Sequence, residues 1–89
     1  MFGILTEKNS FLIYPNPAQT IATVSFKAEG KYIVYVSDVN GKLVQTVTGV
    51  SNSGDNHVQL KLNGLAKGTY VVTIVDENKN KQSLKLEKS

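Results

Sequence analysis

Apolar and polar residues alternate with period two along most of this chain, the signature of half-buried strands. His57 to Leu62 shows it most cleanly, with Val58, Leu60 and Leu62 on one side and Gln59 and Lys61 on the other. Thr20 to Phe26 groups Ala22, Val24 and Phe26, and Tyr32 to Asp38 sets Tyr32, Val34 and Val36 against Ile33 and Tyr35. Thr69 to Asp76 groups Tyr70, Val72 and Ile74, and Gln82 to Glu87 turns Leu84 and Leu86 inward. Phe11 to Tyr14 is a short apolar run, and Lys42 to Thr48 is mixed and rich in β-branched residues. No window carries a sustained apolar stripe of helical period. About seven short strands separated by turn signals predict an all-β sandwich or barrel with essentially no helix.

The turns sharpen this picture. Asn40-Gly41 is the pair preferred in type I′ hairpins, where both central residues need positive φ. Glu29-Gly30-Lys31 predicts a tight connection, and Ser51 to Asn56 and Asp76 to Lys81 predict polar surface loops. In Leu65-Ala66-Lys67-Gly68-Thr69-Tyr70, a leucine and a glycine lead into a tyrosine at the start of the sixth strand. Immunoglobulin-like sandwiches place there a tyrosine whose hydroxyl returns to upstream backbone. The expected fold is therefore an immunoglobulin-like antiparallel β-sandwich. Antiparallel succession puts Pro15 to Pro17, Asn40-Gly41, Asn63 to Gly68 and Lys88-Ser89 at one end. Glu29-Gly30, Ser51 to Asn56 and Asp76 to Lys81 fall at the other.

Ile13-Tyr14-Pro15-Asn16-Pro17-Ala18 stands apart from the alternation. Each proline fixes φ and removes a backbone donor, and each pushes the residue before it out of the helical region. The segment is a stiff, extended corner or strand end.

Composition narrows the function classes. Eighty-nine residues make one domain. With no cysteine, there is no disulfide framework, thiolate metal site or cysteine nucleophile. The net charge of +3 comes from ten basic residues, all lysine, against seven acids. Arginine supplies the planar fork that reads phosphates and base edges, so its absence argues against a nucleic-acid binder. No apolar run approaches a membrane span, and the start lacks the basic region of a signal peptide. The chain is then either cytoplasmic or cut from a longer one.

Chemistry is sparse. His57, the single histidine, sits where a polar loop becomes a strand, with nothing to complete a catalytic site. Asp55, Asp76, Glu77 and Glu29 gather oxygens at one end, but Lys79 and Lys81 share that end and no calcium-loop spacing appears. A carbohydrate platform would need exposed aromatics; Phe11, Phe26 and Tyr70 belong to the core by parity, and there is no tryptophan. The residues by themselves describe an antiparallel sandwich that is not an enzyme and needs no cofactor or metal.

The order of motifs adds a resemblance. "IYPNPA", "VSDVNGKLV", "LNGLAKGTYVV" and a terminal "LKLEKS" together resemble the type A C-terminal sorting domain of the type IX secretion system of Bacteroidetes. The likeness covers residues 11–89 and leaves residues 1–10 as linker or cargo junction. It implies a non-catalytic signal that directs an attached N-terminal cargo through the outer-membrane translocon and its shuttle proteins. The implied route passes through the periplasm to release or cell-surface anchoring, with a sortase-like protease removing the domain. Residue by residue, the family's motifs fall on Pro15, Asn16 and Pro17, on Gly68 and Tyr70, and on the last strand with Lys85 and Lys88. Two readings of the prolines stay open: a composite recognition surface, or a corner that only shapes the fold while the last strand carries the signal. That strand, at the chain end, is expected at a sheet edge, where Lys81, Lys85 and Lys88 discourage unwanted pairing and face an acidic receptor. An ordinary immunoglobulin- or fibronectin-like binding or accessory module of a surface protein is the alternative.

Overall fold

The computed structural model describes residues 11–51 and 55–89. The expected junction at 1–10 and the tip of the polar loop at 52–54 lie outside the described residues. Seven strands follow in order: β1 (Leu12–Tyr14), β2 (Ile21–Lys27), β3 (Gly30–Asp38), β4 (Leu43–Ser51), β5 (Asp55–Lys61), β6 (Gly68–Asp76) and β7 (Lys81–Lys88). They form a three-stranded sheet, β1-β2-β5, and a four-stranded sheet, β4-β3-β6-β7, with every strand pair antiparallel. The described residues contain no helix, in keeping with the alternating pattern.

Alternation decides what lies between the sheets. Ala22, Val24 and Phe26 of β2 and Val58 and Leu60 of β5 face Val34, Val36, Val72, Ile74 and Leu86 of the other sheet in one core. Phe26 meets Tyr32 edge-on across the sheets, with ring centroids 4.9 Å apart. The hydroxyl end of Tyr32 lies where a side chain at position 49 would stand, which is why Gly49 occupies that place on β4. Leu84 departs from its expected burial. It shares a face with Leu86, yet it is 37 % exposed while Leu86 is fully enclosed. β1, which packs against β7, is only three residues long and does not cover the whole of the longer strand.

The Asn40-Gly41 hairpin is not type I′. Gly41 has a φ of +85°, but Asn40 is not in the left-handed region. Asp38 and Lys42 close the loop, the Gly41 N–H bonds to the Asp38 carbonyl at 3.0 Å, and Asp38 Oδ1 accepts the N–H groups of Asn40 and Lys42 at 2.9 Å. The aspartate side chain draws the chain into a type I turn followed by one left-handed residue, a standard three-residue hairpin. The loop after β6 repeats it. Asp76 Oδ1 accepts the N–H groups of Asn78 and Asn80, each at 3.0 Å, and Lys79, with φ +65°, takes the position of Gly41.

A lysine in the left-handed region is strained where glycine is not. Lys79→Gly is therefore expected to raise stability by about 0.5 kcal/mol, the relief of strain being partly offset by a freer unfolded chain. Chemical denaturation checks it, and a stability unchanged or lowered would contradict the shared turn geometry.

Candidate functional site

Pro15 and Pro17 cannot donate backbone hydrogen bonds, yet the segment that carries them lies along the outer edge of β7. Asn16 resolves the conflict with its side chain. Its Nδ2 donates to the Lys85 carbonyl at 3.1 Å, and its Oδ1 accepts the Glu87 N–H at 3.0 Å. One step on, Ala18 N–H donates to the Glu87 carbonyl and Ala18 carbonyl accepts the Ser89 N–H, both at 2.8 Å. This is the pattern of a parallel ladder, and Ala18 and Lys88 form a parallel bridge. A primary amide carries the same donor and acceptor as a peptide group. The Asn16 side chain thus stands in for a backbone residue at the step before Ala18. The Tyr14–Pro15 and Asn16–Pro17 peptide bonds are both cis.

This seam gathers most of the residues singled out by sequence. Pro15, Asn16 and Pro17 are exposed, and Lys85 lies exposed on the outer side of β7. Lys88 is half-buried, pairs across the ladder with Gly68, and donates from Nζ to the Ser89 carbonyl at 3.2 Å. Tyr70 does not join this surface. It is buried, and its hydroxyl donates to the Ala66 carbonyl at 2.7 Å, the corner expected of an immunoglobulin-like sandwich. Sequence reasoning missed Ala18, which is wholly enclosed and makes the only pure backbone step of the seam. The available signal was a small residue directly after the second proline, where the chain must press against β7. Glu87 was also missed; its carboxylate accepts the Thr69 hydroxyl at 2.9 and 3.0 Å.

The opposite end of the sandwich holds the acidic cluster. Asp76 is buried, and the removal of water by burial opposes its ionisation. Hydrogen bonds from the backbone and side chain of Asn80, the backbone of Glu29 and the backbone of Asn78 outweigh that cost and hold its pKa below the usual 3.8. Glu77 Oε1 accepts the Lys31 N–H at 2.8 Å, and Glu29 Oε1 accepts Asn78 Nδ2 at 2.7 Å. These oxygens serve N–H donors and tie the β2–β3 connection to the β6–β7 loop. His57 is exposed on β5, opposite Ser25 of β2.

The fold and its seam define an all-β module whose distinctive surface is the edge of one sheet completed by a proline-containing loop of the other. Residues 12–87 match the family described as the secretion system C-terminal sorting domain, and the chain belongs to that family. The domain is a C-terminal sorting signal for type IX secretion, a role that involves the secretion machinery and an N-terminal cargo. Its destination is secretion or the cell surface. No match was found among curated proteins. No helix of the described residues is long and apolar enough to cross a membrane.

Three outcomes are expected. Asn16→Ala should cost about 1 kcal/mol, because the two freed backbone groups of β7 lie where water replaces the amide. Asn16→Asp should rescue nothing at neutral pH, since its second oxygen faces the Lys85 carbonyl; full stability in either variant would discount the side-chain ladder. For Asp76, a lowered folded pKa means its contribution is present above the unfolded value near 3.8 and is lost as pH falls through the folded value. The difference in thermal midpoint between the parent chain and Asp76→Asn should be large at neutral pH and shrink below about pH 4.

Proposed function

We propose that the type IX machinery recognises the exposed seam formed by Pro15, Asn16 and Pro17 with Lys85 and Lys88. Gly68 and Tyr70 act beneath it: Gly68 pairs with Lys88, and Tyr70 anchors the corner from which β6 starts. The observation that carries this reading is the meeting of two distant parts of the chain on one exposed face through Asn16. In this reading residues 11–89 are the sorting unit, and residues 1–10 join it to cargo on the N-terminal side. The cargo crosses the periplasm, meets the outer-membrane translocon and its shuttle proteins, and is released or anchored after a sortase-like protease removes the domain. The chain acts in this as a ligand, and it performs no catalysis of its own.

Deleting the end of β7 is a poor probe, because it takes the enclosed Leu86 out of the core at a cost of about 2–5 kcal/mol. Point changes at the surface are cleaner. A fluorescent reporter with a signal peptide, followed by residues 1–89, would be expressed in a type IX-competent bacterium. Lys85→Glu is expected to trap the reporter in the periplasm with little change in thermal midpoint. Lys61→Glu, an exposed change on β5, is expected to export normally. Normal export of Lys85→Glu would remove Lys85 from the recognition face.

A further inference from the structure

We propose that the free half of the β7 edge, from Lys81 to Lys85, is a strand-addition site for an acidic, extended segment of a partner protein. The proposal rests on the reading of this end of β7 as a recognition face, and it specifies the chemistry of what docks beside the seam.

The seam itself sets the phase of the strand. Lys85 carbonyl and both backbone groups of Glu87 face Asn16 and Ala18. Odd-numbered residues of β7 therefore turn their backbone groups outward, and even-numbered ones turn theirs to β6. Asn16 and Ala18 fill the outward positions from Lys85 carbonyl to Ser89. The outward groups before them, on Lys81 and Ser83 and at the Lys85 N–H, have no partner strand among the described residues. From Lys81 to Lys85 this free edge is about 13 Å long, at roughly 3.3 Å per residue. An added strand continues the ladder that Asn16 and Ala18 begin.

Side chains along the same stretch favour a strand of defined pattern. On the core side, Leu84 pairs with the fully enclosed Val72 but is itself 37 % exposed. An apolar residue opposite Leu84 would finish its burial. On the outer side stand Lys81, Ser83 and Lys85. The acid that follows them on that side, Glu87, is bonded to Thr69. A partner with acids four residues apart and an apolar residue next to each meets both rows at once.

Charge also argues against a second copy of this chain. Antiparallel β7–β7 pairing centred on Ser83 would set Lys81 opposite Lys85 twice, and like charges directly opposite are destabilising. β4 is the other edge of the same sheet, and it carries no charged side chain from Leu43 to Ser51. An acidic strand has no electrostatic preference for β4, which makes β4 an internal control.

The test is a nitrogen-15 NMR titration of the full chain with two capped peptides, EVTVE and KVTVK. Both read the same in either direction, so neither strand orientation is presupposed. EVTVE is expected to shift the amides from Lys81 to Lys85 and slow hydrogen exchange at Ser83 and Lys85, leaving Thr46 to Val50 unmoved. KVTVK should bind about tenfold more weakly, since two attractive cross-strand pairs become repulsive. A Lys81→Glu, Lys85→Glu double variant should reverse the preference. Equal binding of the two peptides, shifts centred on β4, or no shifts at millimolar peptide would overturn the proposal. Because the titration does not involve export, absence of binding alongside a secretion defect in Lys85→Glu would sink strand addition while leaving the recognition face standing.

Discussion

Two prolines remove two backbone donors from the β1–β2 connection where it meets the edge of the other sheet, and the Asn16 side chain restores the pairing they remove. Together with the backbone step at Ala18, that substitution of side chain for backbone joins the two sheets at this end. Without it, the Lys85 carbonyl and the Glu87 N–H would lie unpaired beside the loop. With it, a short parallel ladder joins the start of the described chain to its end, across separations of 69 and 71 residues. Ala18 and Leu86 are then fully enclosed beside the seam. A loop fixed by prolines and pinned at two ladder steps closes this end of the sandwich.

The far end is held by a different device. There Asp76 offers one carboxylate to several N–H groups of its own loop and to the β2–β3 connection. Charge-assisted hydrogen bonds of this kind are stronger than neutral ones, and here they overcome the cost of burying the carboxyl. Asp38 does similar local work in the β3–β4 hairpin at the seam end. One end of the sandwich is thus sealed by mimicry of a strand and the other by a charged acceptor.

The seam is conformational. The prolines, β7 and the glycine at the start of β6 become neighbours only once both sheets have formed, since β1 belongs to one sheet and β6 and β7 to the other. Their common face is accordingly a property of the folded domain and not of any linear motif. The exposed Pro15, Pro17 and Lys85 leave that face stiff and charged.

The sequence by itself determined the strands, the division of residues between core and surface, and the absence of helix among the described residues, because period-two alternation permits one buried face per strand. It also identified the tyrosine corner at Tyr70, whose leucine and glycine lead-in has a local geometric cause. The family resemblance marked the proline motif and the last strand, and the family match bears out that membership. Only the tertiary structure decided how those two pieces meet. Asn16 could have been a turn residue, since nothing local distinguishes an amide that caps its own loop from one that pairs with a strand some seventy residues away. The Asn40-Gly41 turn changed type for a related reason: the Asp38 carboxylate, just outside the pair, set the backbone of the loop. Leu84 stayed half in solvent because the strand above it is too short. Pairing partners and strand lengths are properties of the assembled sheets, and alternation along one strand carries no information about them.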